Sequence, residues 1–166
     1  FLVASVGAIT AVFAGSMGMV QHDIKRVIAY STMSQLGYMF LAVGIGVFSV
    51  GMFHLMTHAF FKALLFLSAG SVIHSLHDEQ DIRKMGGLRY SMPITFYSFL
   101  IGSLALSGFP LTSGFYSKEA ILTNAWYSAH SNIIFWAIAV FTAGMTGFYA
   151  FRLFFYVFLG ENKNLR

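Results

Sequence analysis

The chain has 166 residues, of which 57% are hydrophobic and only 10% are charged, and its mean hydropathy is +0.72. A water-soluble domain of this size needs far more charge on its surface, so the composition excludes one. The sequence contains no cysteine, which excludes thiolate metal sites and iron–sulfur clusters built from this chain alone. The net charge of +4 indicates membrane topology rather than a nucleic-acid partner, because the basic residues cluster in short loops.

Five membrane-spanning segments are predicted, since a transmembrane helix needs about 20 mostly apolar residues. They cover residues 1–20, 27–47, 52–73, 93–127 and 133–159. The fourth segment is too long for one straight span and contains Gly108, Pro110 and Gly114, so we predict a helix broken into two halves. Residues 1–159 then form a single five-helix domain, and residues 160–166 form a polar tail. Because the sequence starts without Met inside an apolar run, we expect a fragment or a split product of a longer subunit.

The positions of the basic residues support this number of spans. The connections at 21–26 and 74–92 and the polar tail share one face, and they contain Lys25, Arg26, Arg83, Lys84, Arg89, Lys163 and Arg166. The connections at 44–51 and 128–132 share the other face and contain neither Lys nor Arg. The positive-inside rule therefore predicts that the basic face lies in the cytoplasm or the mitochondrial matrix.

Three protonatable side chains share one face of the third segment. His54, His58 and Lys62 are spaced four residues apart, so on an α-helix they form a row about 12 Å long. Burial disfavours a charged amine, and ionisable groups at membrane depth commonly act in proton relays. The structural alternative is a pair of histidines hydrogen-bonded across helices, with the lysine extended toward an interface. The histidine spacing also suits two metal ligands, but no third ligand is evident, and we predict no metal site.

Lys118 follows the predicted break. Discontinuous helices at membrane depth leave unpaired backbone groups that line cavities, which makes Lys118 a second candidate relay group. The alternative is that the fourth span ends near Gly114 and that Lys118 is a loop charge. Glu119 points about 100° away from Lys118 on a helix and need not pair with it. We regard it as an accessory candidate that meets another helix or subunit, or as a solvated residue.

Two charged residues stand at the start of the second segment. The helix dipole favours Asp23 there, so it is expected to cap the helix, with an accessory role as the alternative. Lys25 is a candidate point of proton uptake, although a basic residue in a loop is also expected from topology alone. A polar cluster follows, and interhelical hydrogen bonds explain most of it. Its members are Tyr30, Ser31, Thr32, Ser34, Gln35 and Tyr38.

Four long motifs now allow a resemblance to be stated. They are QHDIKRVIAYSTMSQ at 21–35, FHLMTHAFFKALLF at 53–66, KMGGL at 84–88 and GFYSKEAIL at 114–122. These motifs closely resemble those of the antiporter-like membrane subunits of respiratory NADH:ubiquinone oxidoreductase (complex I), in particular the distal one. The resemblance implies a fold of two inverted five-helix repeats, each with one broken helix, and this chain is similar to the second repeat.

The resemblance also implies roles for individual residues. By this similarity Lys118 is the lysine of the broken helix, on the side of the channel that leads to the outer face. His58 and Lys62 match a central hydrophilic axis, His54 belongs to the same row, and Lys25 matches a basic residue at the start of its helix. The chain itself is then expected to hold no cofactor, with FMN, iron–sulfur clusters and ubiquinone in other subunits.

The sequence therefore predicts a proton-translocating subunit driven by redox chemistry in other subunits. Its expected partners are the other membrane-arm subunits of complex I, including a chain that carries the first antiporter-like repeat, and the lipid bilayer. The expected location is the mitochondrial inner membrane, with a bacterial plasma membrane as the alternative. Two other functions stay open: a subunit of a multisubunit sodium/proton antiporter, and a structural scaffold whose polar groups only join helices.

Overall fold

The computed structural model describes residues 1–127 and 132–161. The chain forms α1 (Leu2–Val20), α2 (Ile24–Gly44), α3 (Phe48–Ser75), α4 (Pro93–Ser107), α5 (Ser113–Tyr127) and α6 (Ile133–Phe158). The predicted all-α fold is confirmed, and α4 and α5 are the two halves of the predicted broken helix. Our predictions for the tail beyond residue 161, including Lys163 and Arg166, lie outside the described residues.

Three helices, α1, α3 and α6, are long and apolar enough to cross a membrane. Helix α2 has 21 residues, which is sufficient in length, but the buried Ser31, Ser34 and Gln35 make it more polar. Helices α4 and α5 have 15 residues each, so each is only about 22 Å long and needs the other to cross a bilayer.

The start of α3 differs from our prediction. We placed a turn at residues 44–51, but α3 begins at Phe48, so Ser49 and Gly51 are helical. A side chain at Gly51 would lie 3.2 Å from the Val43 side chain. Gly51 therefore allows close packing of α3 against α2 and does not form a turn. A glycine in the sequence does not by itself show which of these two roles it has.

Helices α1 and α2 cross at very short distance. A Cβ atom on Gly37 would lie 2.5 Å from the backbone nitrogen of Ala11, and one on Gly44 would lie 2.2 Å from that of Ala4. Membrane helices associate mainly through such close packing of small residues, because lipid provides no hydrophobic drive between them. This crossing holds α2 in place, and α2 carries the polar cluster that contacts α3.

The break between α4 and α5 is a tight turn of the backbone. Gly108 ends α4 in the left-handed conformation, with φ 77°, and Leu111 has φ 71°. A Cβ atom on Gly114 would lie only 1.8 Å from the carbonyl oxygen of Ala105. The first turn of α5 is therefore in backbone contact with the last turn of α4, and Pro110 lies exposed between them.

A Gly114→Val substitution should sharply lower the amount of folded subunit in the membrane. The clash is with a backbone oxygen, which cannot move aside as a flexible side chain can, so the cost should exceed the roughly 1–3 kcal/mol of ordinary overpacking. Gly144→Val is the matched control, because a Cβ atom on Gly144 meets no atom of this chain within 4 Å. Immunoblots of membranes and native gels measure the outcome, and a wild-type level of Gly114→Val would contradict this account of the break.

The loop from residue 76 to 92 closes the basic face of the helix bundle. The backbone N–H of Ile24 donates to Gln80 at 3.0 Å, and that of Ile82 donates to His22 at 2.8 Å. Arg83 binds Asp81 with a shortest N–O distance of 2.7 Å, and its hydrogen bonds hold the pKa of that carboxyl well below its usual range. Because Ile82 is fully buried, the loop is fastened to the start of α2 and not free in solvent.

Candidate functional site: a buried row of basic side chains

Four basic side chains lie inside the helix bundle. His54, His58, Lys62 and Lys118 are between 0% and 5% exposed. In the described part of the chain no carboxylate is buried, and the two ion pairs present are both in the loop before α4. A buried charge without a partner is costly, so the neutral groups around each amine decide how well it can carry a proton.

Lys62 lies against the polar side of α2. Its Nζ donates to Oγ of Ser31 at 2.7 Å and to the carbonyl oxygen of Ile28 at 3.0 Å. The hydroxyl oxygen of Tyr149, from α6, lies at hydrogen-bonding distance from the same Ser31 oxygen, 3.1 Å away. The amine of Lys62 is thus held by neutral oxygens in the interior, and the predicted alternative of a lysine extended toward an interface is not what the structure shows.

His54 joins three helices. Its Nδ1 lies 2.8 Å from Oγ of Ser117 on α5, and its Nε2 donates to Oε1 of Gln35 on α2 at 3.0 Å. With the Gln35 amide in this orientation, a neutral His54 carries its hydrogen on Nε2 and accepts the Ser117 hydroxyl hydrogen at Nδ1. Thr57 also contacts Ser117, with 3.0 Å between the two hydroxyl oxygens. The histidine is therefore held in one tautomer, next to the residue that precedes Lys118.

His58 occupies the middle of the row. Its ring centroid is 6.2 Å from that of His54 and 5.3 Å from that of Phe61, which it meets edge-on. Its Nε2 and the Nε2 of Gln35 are the buried side-chain atoms, among the described residues, that have no hydrogen-bond partner within the chain. The hydrogen bonds of Lys62 and those of His54 therefore form two separate groups. His58 lies between the two groups, and its Nε2 forms a hydrogen bond with neither of them.

Lys118 depends directly on the helix break. Its Nζ donates to the carbonyl oxygen of Leu106 at 2.7 Å and lies 5.6 Å from the centroid of the Tyr38 ring. The last carbonyls of a helix have no partner within the helix and carry partial negative charge. Because α4 ends at Ser107, the carbonyl of Leu106 is free to accept from the ammonium. The break thus supplies the polar group that lets a cation stay inside the bundle.

The other predicted site residues lie outside this row. Asp23 caps α2, since its Oδ1 accepts from the backbone N–H groups of Lys25 at 2.8 Å and Arg26 at 3.1 Å. The Lys25 side chain is exposed on the basic face, one turn before Ile28, and its role in proton uptake stays a prediction. Glu119 is exposed on α5 and forms no ion pair with Lys118.

Two polar residues of α6, Tyr149 and Arg152, were not predicted as candidate site residues. Tyr149 stands in an aromatic-rich apolar stretch, and nothing in the sequence separates it from its neighbours. Arg152 donates to the carbonyl oxygens of Met19 at 2.6 Å and Gln21 at 3.0 Å, so it satisfies the end of α1. The rule that draws attention to Lys118, a cation within an apolar segment, applies equally to Arg152 and would have found it.

The fold and the buried row together define a class: α-helical membrane proteins that keep a broken helix and ionisable side chains inside the bilayer. The family described as "NADH:quinone oxidoreductase/Mrp antiporter, TM" matches residues 1–146. The chain belongs to this family.

Individual relatives agree with this assignment. The chain is 59% identical over 163 residues to "NADH-ubiquinone oxidoreductase chain 5" of Acanthamoeba castellanii, which covers 97% of this chain. It is 53% identical over 173 residues to "NADH-quinone oxidoreductase subunit L" of Rhodobacter capsulatus, which covers 98% of this chain. The chain spans only 24% of the length of either relative. The resemblance stated from the sequence motifs is confirmed.

Two solved structures share the fold. The Mrp complex of Dietzia sp. DQ12-45-1b matches with a TM-score of 0.88 at 25% identity, over 97% of this chain and 30% of that chain. The membrane-bound sulfane sulfur reductase, described as an archaeal respiratory membrane complex, matches with a TM-score of 0.83 at 33% identity, over 95% of this chain and 32% of that one. The arrangement of the six helices is therefore that of the antiporter-like membrane subunits.

Proposed function

We propose that this chain is part of a proton-translocating membrane subunit of respiratory NADH:ubiquinone oxidoreductase. The observation that carries the proposal is the burial of Lys62 and Lys118 on two different helices, each bonded only to neutral oxygens. Such amines can gain and lose a proton, whereas an amine in a tight ion pair would stay charged. The relatives named NADH-ubiquinone oxidoreductase chain 5 support the choice of complex.

The proposed path runs from Lys62 to Lys118 through the histidines. A proton passes from Lys62 to His58, one turn away on α3, and then to His54, whose ring lies 6.2 Å from that of His58. Ser117, 2.8 Å from His54, connects the row to α5 and so to Lys118. Like charges repel strongly in a medium of low dielectric constant. Adding a proton at one lysine therefore favours release of the proton from the other.

The chain works with partners and cofactors that lie elsewhere in the complex. Redox chemistry takes place in other subunits, which hold FMN, iron–sulfur clusters and ubiquinone, and it acts on the row through charge. Other membrane-arm subunits, including a chain with the first antiporter-like repeat, surround this one. The proposed location is the mitochondrial inner membrane, or a bacterial plasma membrane, with the basic loops on the matrix or cytoplasmic side.

A subunit of a multisubunit sodium/proton antiporter is the second candidate. The TM-score of 0.88 to the Mrp complex favours it, but the identity there is 25%, against 59% for the relative from NADH-ubiquinone oxidoreductase. In both cases the buried row would carry protons. The two candidates differ in what drives the protons, which is NADH oxidation in one and a sodium gradient in the other.

The two candidates are separated by purifying the tagged full-length subunit from its own membranes in a mild detergent. We expect an NADH-oxidising activity to purify with it, and we expect NADH to acidify sealed vesicles that contain the complex. Sodium pulses should leave the pH of the vesicles unchanged. Sodium-driven proton exchange without any co-purifying NADH oxidation would overturn the proposal in favour of the antiporter.

A further inference from the structure

We propose that Ser31 and Tyr149 position the Lys62 amine through a chain of hydrogen bonds that reverses its direction when Lys62 loses its proton. The inference rests on the proposed function, in which Lys62 exchanges a proton. Ser31 and Tyr149 are positioning residues, since they act through Lys62 and are not themselves steps of the proton path.

The chain of hydrogen bonds runs across three helices. Ser31 Oγ, on α2, lies 2.7 Å from Nζ of Lys62 on α3 and 3.1 Å from the hydroxyl oxygen of Tyr149 on α6. The Tyr149 hydroxyl lies a further 3.4 Å from Oγ1 of Thr146, one turn earlier on α6. All four side chains are buried. Ser31 and Tyr149 also border a small, mainly apolar cavity of about 10 Å³.

The chemistry of these groups lets the chain run in either direction. A hydroxyl group donates one hydrogen bond and accepts others, whereas the ammonium form of lysine only donates. When Lys62 is protonated, its N–H donates to Ser31, Ser31 donates to Tyr149, and Tyr149 donates to Thr146. When Lys62 is neutral, Tyr149 donates to Ser31, and Ser31 donates to the lone pair on Nζ.

The second contact of Lys62 cannot reverse in this way. The carbonyl oxygen of Ile28 accepts from Nζ at 3.0 Å, and a carbonyl accepts in both protonation states. Ser31 is therefore the contact that distinguishes the two states, and Tyr149 completes it by accepting the Ser31 hydrogen when Lys62 is charged. Removing either hydroxyl leaves the charged state with fewer partners, and this penalises the ammonium form.

Other titratable groups face Lys62 and must stay constant in a test. His58 lies one turn away on the same helix, Lys118 acts through its charge from α5, and Tyr149 is the group of α6 that joins this chain of hydrogen bonds. Helix α6 also contains Tyr156 and Arg152, and Arg152 donates to the backbone at Met19 and Gln21. Helix α2 contributes Ser31 and the Ile28 carbonyl, and the only titratable side chain of α4 is the exposed Tyr97. Neither Ser31→Ala nor Tyr149→Phe changes the net charge of this set near neutral pH.

The test measures NADH-driven proton transport against pH in membranes that contain the assembled complex, normalised to the amount of complex on native gels. In Ser31→Ala we expect the fall in transport at alkaline pH to move to lower pH by about one unit, the size expected from one lost hydrogen bond to a charged group. Tyr149→Phe should move it in the same direction. The double variant should show less than the sum of the two shifts, because both residues act on one chain.

Two further variants separate positioning from simple packing. Ser31→Thr keeps a hydroxyl and should restore the wild-type profile. Thr142→Val removes another buried hydroxyl of α6, which bonds to its own helix at Ile138, and should leave the profile unchanged. If Tyr149→Phe does not assemble, Ser31→Ala and Ser31→Thr decide the question by themselves.

A uniform drop in transport at every pH in Ser31→Ala, without a shift, would overturn the inference. Its failure is distinguishable from failure of the proposed function. If Lys62→Met stops transport while the Ser31 and Tyr149 variants keep the wild-type profile, only the positioning role is wrong. If Lys62→Met transports normally, the proposed proton path is wrong as well.

Discussion

A Lys118→Ala variant should assemble into its complex almost normally and pump protons at least about 100-fold more slowly, the lower end of the effects seen when a proton-transfer group is removed. The substitution deletes the amine that donates to the Leu106 carbonyl at 2.7 Å. That carbonyl stands at the end of α4 and is left without a partner, which costs about 1–3 kcal/mol. The loss is small beside the packing that holds α5 in place, so transport should suffer far more than folding.

The matched control is Lys84→Ala. Lys84 is an exposed loop lysine that pairs with Glu79 at 3.0 Å, so its removal takes away the same charge on the basic face and leaves the buried row untouched. Vesicles with a pH-sensitive dye report proton transport, native gels report assembly, and NADH oxidation is followed separately. Normal pumping by a well-assembled Lys118→Ala complex would remove Lys118 from the proton path.

The buried position of Lys118 depends on the break between α4 and α5. The helical partner of the Leu106 carbonyl would be the N–H of residue 110, and Pro110 has none, so this carbonyl is left to accept from Lys118. The left-handed Gly108 and the close contact at Gly114 create the open end of α4 and place Lys118 beside it. The sequence pattern around Gly108 and Pro110 predicted the break correctly, because glycine and proline act locally on the backbone.

Side-chain partners could be predicted much less well than backbone elements. The four-residue spacing of His54, His58 and Lys62 is a property of one helix and follows from its geometry. That Lys62 meets Ser31 and Tyr149 depends on how α2, α3 and α6 pack, which local sequence does not encode. Ser31 belonged to a recognisable polar cluster, yet which of its members would face Lys62 was open until the helices were placed.

Basic residues within the spans are harder to interpret from the sequence than those in the connections. The basic residues in the connections supported the number of spans predicted from apolar length, because loop charges mark where segments leave the bilayer. The count of these residues passed over Arg152, which lies inside α6 and whose hydrogen bonds to Met19 and Gln21 serve the end of α1. The role of a basic residue within a span therefore depends on its hydrogen-bond partners, which the sequence does not show.

Replacing Lys62 by arginine should stop proton transport as completely as replacing it by methionine, with a loss of about 100-fold or more. Arginine keeps the positive charge but does not release its proton in proteins. If Lys62 works by exchanging a proton, a permanent charge at this position is as inactive as no charge. If the amine serves only to hold α2 against α3 through Ser31 and Ile28, arginine should substitute for it at least in part.

The variants Lys62→Met and Lys62→Arg separate the effect of the charge at residue 62 from the effect of the length of its side chain. Lys62→Met keeps an unbranched chain and removes the amine, whereas Lys62→Arg keeps a donor group that can still reach oxygens on α2. Transport per assembled complex is compared in sealed vesicles, with the Lys84→Ala complex as the reference for an unaffected row. Wild-type transport by Lys62→Arg would show that the charge matters and its release does not, because a guanidinium that never gives up its proton cannot pass one to His58.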